Sequence, residues 1–508
     1  MSVKGTKVAT TDTGFANAMR AGSSTSIGFS TKKETLVFPK GHIVNGVAIT
    51  PTSVSSNYPT IMEGFTGIQE FLKLVPGEIL GKFHKMVNEN EDLAIRFALW
   101  ARDARQGAGL RDPARLMFAS LSDHPNIEGI INRIPVLGRF DDLLIEWKSE
   151  RAMRFALARY IAAFDDPDEK GLAAKWAPRK TSVWAYRLRK ELGLNYSDYR
   201  KFLVANSKTV EQNMCDGAWN SIDYNQVPSV AHKNYRKAFI RHTPDRYERY
   251  VGALKAGVRG VKINAGAVEP HELASKVMMG QQLYSDSLDA QFNAIPFSLE
   301  GLNIFPIVDV SPSMRSISTG TQTCKSVAMS LGLWIAQNQT KTKGLVMTFS
   351  QTPRIVDYSS KGFSSAILDL QNQDWGRYTD LTASMKLMFS RCKAAGVTED
   401  ELPDVMVVLS DMLMNGSGMS SGNKYQAKEV KRVAAENGYT KIPKVIFWNL
   451  AQQKTPKISD ADENGIINIS GFSSKVFNSM AEILAGDKPV STDTAMLDLL
   501  TSERYNYV

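Results

Sequence analysis

Five oxygen-bearing side chains stand at spacings that suit a hard cation. Asp309, Ser311 and Ser313 alternate in VDVSPSM, directly after the apolar run Leu302 to Ile307. Thr379 sits beside Asp380 in GRYTDLTASM, and Asp411 follows an apolar run in DVMVVLSDM. Magnesium takes a near-octahedral shell of oxygens at about 2.0–2.1 Å and commonly keeps several waters. Two carboxylates, two serine hydroxyls and one threonine hydroxyl, drawn from three loops, supply most of that shell and leave a position open. Hydroxyls in place of further carboxylates keep the ion electropositive, so that it attracts an acidic group from a partner. A lone Asp-x-Ser-x-Ser says little, because Asp and Ser also make turns and helix caps. The reading rests on all three loops together.

Elements that would position these residues are visible around them. From about Ser298, short apolar runs (LNIFPIVDV, KGLVMTFS, DVMVVLSDM, PKVIFWNL, GIINISGF) alternate with helical stretches such as CKSVAMSLGLWIAQNQ and AKEVKRVAAENG. Buried strands alternating with helices predict a parallel sheet covered on both faces. Ligand sites of such sheets lie beyond the carboxyl ends of the strands, where Asp309 and Asp411 fall. From about Phe65 to Leu283 the texture is helical. In EDLAIRFALWARDARQG, Leu93, Phe97 and Trp100 recur at three- and four-residue spacing, with Arg96, Arg102 and Arg105 expected to turn away. Similar stretches joined by short breaks predict a helical-repeat arrangement. The first 60 or so residues are rich in Ser, Thr and Gly, and two β-prone runs flank Pro39 to Gly41, which predicts a hairpin or an extended arm. The expected division is a partly extended arm over 1–64, a helical unit over 65–297, an α/β domain over 298–490 and a tail over 491–508. A Gly- and Ser-rich loop, MNGSGMSSGNK, follows Asp411 and is expected to cover the site.

Bulk properties narrow the function. A chain of 508 residues exceeds a single core. Its three cysteines, Cys215, Cys324 and Cys392, form no CxxC pair, which argues against a disulfide framework or a zinc site and fits a reducing cytoplasm. No apolar run reaches the roughly 20 residues a bilayer requires, and MSVKGTKVATTDTGF lacks the apolar centre of a signal peptide, so no membrane association is expected. A net charge of +9 and a pI near 9.1 lean towards polyanions. Two basic, aromatic stretches are candidates to meet RNA. One carries Lys175, Arg179, Lys180, Arg187, Arg189 and Lys190; the other carries Lys233, Arg236, Lys237, Arg241, Arg246, Arg249, Arg259 and Lys262 with Tyr235, Tyr247 and Tyr250. Basic groups neutralise phosphates and aromatic faces stack on unpaired bases, although charged helix faces also serve simply as solvated surface and tyrosines as core. No HExxH, GxSxG or Walker loop is present, and RQGAGLRD lacks the lysine and hydroxyl of a phosphate loop. The expectation is a binding protein, not an enzyme.

The pattern Asp309-x-Ser311-x-Ser313, Thr379, then Asp411 after a strand resembles the metal-ion-dependent adhesion site of von Willebrand factor A domains, over roughly residues 300–490. Arg377 and Tyr378 stand where that family has small residues before the threonine. ALWARDARQGAGLRD, IPVLGRFDDLL, LAAKWAPRK, VPSVAHKNYRKAF and KINAGAVEPHELA resemble proteins that join a TROVE-like helical region to such a domain. The Ro RNA-binding proteins are the better-known relatives, and the likeness is stronger to the uncharacterised branch than to Ro. The resemblance implies a HEAT-like helical ring or arc closed by a Rossmann-like α/β domain. It also implies a divalent cation such as Mg2+ and a cytoplasmic ribonucleoprotein that takes single-stranded RNA ends or small structured RNA. The alternative it leaves open is a protein-binding scaffold that uses the metal site to recruit an acidic partner residue.

Overall fold

The computed structural model describes residues 14–21, 57–66, 68–207, 209–280, 286–299, 301–309, 311–315, 317–319, 322–349, 352–373, 380–411, 422–450, 466–470, 474, 477 and 492–508. Thr379, the Pro39 to Gly41 turn and the loop over 412–421 lie outside them.

Apolar residues at helical spacing make the first unit. In helix Glu91–Arg102, Leu93, Phe97 and Trp100 are buried, and the Asn90 side chain accepts the Leu93 N–H as its cap. This helix and its successors, from Asp112–Ser120 to Tyr196–Ser207, build one core that runs from Ile61 to Leu203. Arg102, expected to face away, is buried, because its guanidinium pairs with the buried Asp142 carboxylate at 2.6 Å. Arg115 holds the other oxygen of Asp142 at 2.7 Å. A smaller core between Ile222 and Tyr247 is formed largely by helices Ser229–His242 and Pro244–Lys255.

Continuous apolar runs make the strands β1 (Ile304–Asp309), β2 (Leu345–Phe349), β3 (Ile355–Asp357), β4 (Val405–Ser410), β5 (Lys444–Asn449) and β6 (Ile466–Ser470). They form one sheet in the order β3-β2-β1-β4-β5-β6, with every pair parallel except β2 with β3. Strands β1 and β4 are central neighbours, and every residue of both is buried. Helix Cys324–Gln337 lies close on β1, because Gly332 meets Val308 where any Cβ would collide. Leu273, Val277, Leu288 and Phe292, from helices Pro270–Met278 and Asp286–Asn293, belong to the same core as Val308 and Trp334. The texture change near Ser298 therefore falls inside a shared core and not at a gap between units.

Residues 14–20 and the last residues are both docked. Residues 14–20 of the arm expected to be partly extended form a helix whose Phe15 packs edge-on against Phe305 of β1 at 5.3 Å. Arg20 pairs with Asp357 at 3.0 Å. Helix Pro59–Thr66 already belongs to the helical unit. At the other end, helix Thr492–Leu500 and the residues after it return to the first core, where Met496, Leu500 and Tyr505 are fully buried. Arg504 pairs there with Asp103, and Asn126 donates to the Tyr507 carbonyl at 2.9 Å. No helix among the described residues is long and apolar enough to cross a membrane.

Candidate metal centre and nucleic-acid interface

Parallel pairing sets Val308 opposite Leu409, so the carboxyl ends of β1 and β4 emerge side by side. Asp309 ends the first strand and Asp411 follows the second. The chain then turns through Pro312–Arg315, which brings Met314 sulfur to 3.1 Å from the Asp411 amide. The Ser311 and Ser313 hydroxyls share a hydrogen bond at 2.9 Å. Asp309 is fully buried; one carboxylate oxygen accepts the Ser311 amide at 2.8 Å and the other accepts the Ser410 hydroxyl at 2.6 Å. The structure thus brings Asp309, Ser311, Ser313 and Asp411 together. Asp380, the further oxygen of the second loop, is committed as a helix cap that accepts the Ala383 amide. Ser410 was not singled out from the sequence, although its place directly before Asp411 at a strand end was a usable signal.

Burial pushes the Asp309 carboxyl up to about 6, hydrogen bonds from Ser410 and Ser311 pull against that rise, and the charge of Asp411 adds to it. Two carboxylates near each other and away from water repel, and a divalent cation beside them would remove that cost. Among the described residues no three His, Cys, Asp or Glu converge. The donor set here is two carboxylates with two hydroxyls, which suits a hard, oxygen-seeking ion and not zinc. The residues present fit such an ion.

The positive charge has its own geography. Residues 170–201 carry nine Lys and Arg against two Asp and Glu, and residues 229–262 carry the same nine against two. Residues 59–169 hold fourteen against eighteen, and residues 300–508 hold twenty-one of each. Of the residues expected to meet RNA, Arg179, Lys180, Lys237 and Arg241 are exposed. Arg187 is half-buried over the Trp184 ring, and Lys175 is half-buried and paired with Glu211 at 3.1 Å. Lys233 and Arg236 are buried. Lys233 pairs with Glu272 at 2.6 Å, and Arg236, 1% exposed, donates to Gln291 at 2.9 Å. These two join helices, which corrects their assignment to an RNA face. Tyr247 is also withdrawn from stacking, because it is buried against Tyr224, Phe239 and His232.

Residues 303–494 match the model of a domain of unknown function, DUF7788, and residues 179–295 match that of a second, DUF2828. The chain is similar to Uncharacterized protein L728 of Acanthamoeba polyphaga mimivirus, 25% identical over 461 residues with 78% of each chain covered. Among solved structures it is similar to the RO (RSR) protein of Deinococcus radiodurans, at 16% identity and a TM-score of 0.43, over 80% of this chain and 93% of that one.

Proposed function

We propose that this protein binds RNA of single-stranded character through exposed basic faces of its helical unit, without catalysing a reaction. Asp309, Ser311, Ser313 and Asp411, with Thr379 expected from the next loop, would hold a divalent cation of the magnesium class. When bound, that ion would offer an open position to an acidic group of a protein partner. The setting we propose is the cytoplasm, in keeping with three widely spaced cysteines that form no CxxC pair.

One observation carries the RNA reading. The surplus of positive charge is concentrated in two helical stretches, while the sheet domain is balanced and the first helices are acidic. A solubilising charge has no reason to gather in this way, whereas a polyanion rewards it. The test is binding of an RNA hairpin with a single-stranded tail at about 50 and about 200 mM salt. The expected result is saturable binding whose log affinity falls against log salt with a slope of about 0.7 per phosphate neutralised. Absence of saturable binding at the lower salt, or affinity indifferent to salt, overturns the reading.

A further inference from the structure

The stretch over 170–201 shows large apolar and aromatic side chains to solvent within its charged surface. Val183 is 65% exposed, Tyr186 53% and Tyr196 42%. Trp176 and Trp184, in the same stretch, are already engaged: Arg139 lies 3.7 Å over the first, and the second donates to the Ile145 carbonyl at 3.2 Å. Tyr186 and Tyr196 keep their rings outward.

Local structure ties these residues to one segment. Val183, Tyr186 and Lys190 follow one another at helical spacing on the exposed side of helix Val183–Glu191. The Tyr196 hydroxyl donates to the Arg179 carbonyl at 3.1 Å, which ties the start of helix Tyr196–Ser207 to the loop that leads into Val183. Tyr196 is thus fastened to the loop that carries Arg179 and Lys180 and leads into the helix of Tyr186. The Arg189 guanidinium lies over one face of the Tyr186 ring, 5.0 Å from its centre, and brings a positive charge beside it. Among the described residues, Arg179, Lys180, Arg187, Arg189, Lys190 and Arg200 have no carboxylate partner, whereas Lys175 and Lys201 pair with Glu211 and Asp198.

We infer that Tyr186 and Tyr196 form a stacking platform for successive unpaired bases, with Arg179, Lys180, Arg189 and Lys190 taking the phosphates between them. This inference rests on the RNA reading above and adds to it the place and the recognised chemistry, a flexible single strand and not a duplex. Cations alone would take any polyanion. Exposed tyrosines beside them select one whose units carry flat faces, and every base has such a face, so little sequence preference follows.

The test uses the full chain with three probes: a uridine oligonucleotide of about ten residues, within the usual site size of such grooves, a blunt RNA duplex, and a polyglutamate peptide. Tyr186→Ala and Tyr196→Ala are each expected to weaken the single strand by about 5- to 150-fold, the span of one base–aromatic stack. Both should leave the duplex and the salt slope unchanged. Tyr186→Phe, which keeps the ring, should bind as the parent does. Unchanged single-strand affinity in both alanine variants, with salt-dependent binding retained, overturns the platform and leaves the RNA reading standing. Equal losses for single strand and duplex also overturn it, because phosphate neutralisation alone then explains the effect. Tyrosine-dependent binding of polyglutamate assigns the face to an acidic protein instead. No saturable binding of either RNA by the unaltered protein overturns both readings together.

Discussion

Residues 170–201 and 229–262 have the same charge tally and different fates. In the second, Lys233 and Arg236 are buried and four of the nine cations tie elements together, while Lys237, Arg241, Arg249, Arg259 and Lys262 stay exposed. Lys233 reaches Glu272, Arg236 reaches Gln291, Arg246 donates to the Ile222 carbonyl, and Lys255 reaches Asp286. In the first, none of the nine is buried, and the exposed ones sit beside the exposed Tyr186 and Tyr196. A buried ion is retained only where other groups compensate its missing hydration, and a surface ion remains available for a ligand. Charge density marks a region as interesting, and pairing decides what it does.

Four measurements would break or sharpen that contrast. Arg236→Ala should lower stability by about 2–4 kcal/mol, since it opens a cavity and strands the buried Gln291 and Ser287 acceptors. Urea denaturation would show this, and a neutral result would mean that the second stretch is surface after all. Asp309→Asn extends the same logic to a buried anion. The Asp309 carboxyl is pushed up to about 6 from 3.8, so the native state binds the proton more tightly than the unfolded chain does. In metal-free protein the site is therefore most favourable below pH 3.8 and loses stability as pH rises through 6. The asparagine variant should remove that decline and gain about 1–3 kcal/mol near neutral pH, while abolishing divalent-ion binding by calorimetry.

The third is Lys180→Glu with Lys190→Glu, which should cost about tenfold or more in RNA affinity at low salt. It should also make the salt slope shallower by roughly 0.7 for each phosphate that is no longer neutralised. Stability should change by about 0.5 kcal/mol or less, as is usual for exposed substitutions. The smallest effect concerns Asp103. Burial raises its carboxyl, but the hydrogen bond and charge of Arg504, with the amides of Arg105 and Gln106, outweigh that and hold it below 3.8. Its contribution is fully present above that unfolded value and is lost as pH falls through the lower folded one. Asp103→Asn should lower stability at pH 7 and make the acid limb of the stability curve shallower.

What the sequence made legible follows from how local each signal is. Asp309, Ser311 and Ser313 lie within one turn, and Asp411 is brought to them by the rule that parallel strands end on the same edge. The alternation of strands and helices could likewise be read over short windows. The fate of Arg236 could not, because its partner Gln291 lies 55 residues away, and nothing near an arginine in sequence reports that distance. Lys233 is the same case at 39 residues. Arg102 read as surface because its neighbours set the stripe, while its partner Asp142 is 40 residues on. The helix over 14–20 had an apolar pair at i and i+4, Phe15 and Met19, but seven residues cannot form a stable helix alone. Tertiary contacts make it one, among them the packing of Phe15 on Phe305 and the Arg20–Asp357 pair.

The ion pair between Arg504 and Asp103 spans 401 residues of chain. During synthesis at roughly 5–20 residues per second, the first helices leave the ribosome tens of seconds before Met496, Leu500 and Tyr505 exist to fill their core. For that interval they expose the apolar surface that those three side chains later cover. The order of translation thus runs against the order of packing, and newly made chains should lean on chaperones until those three residues have emerged.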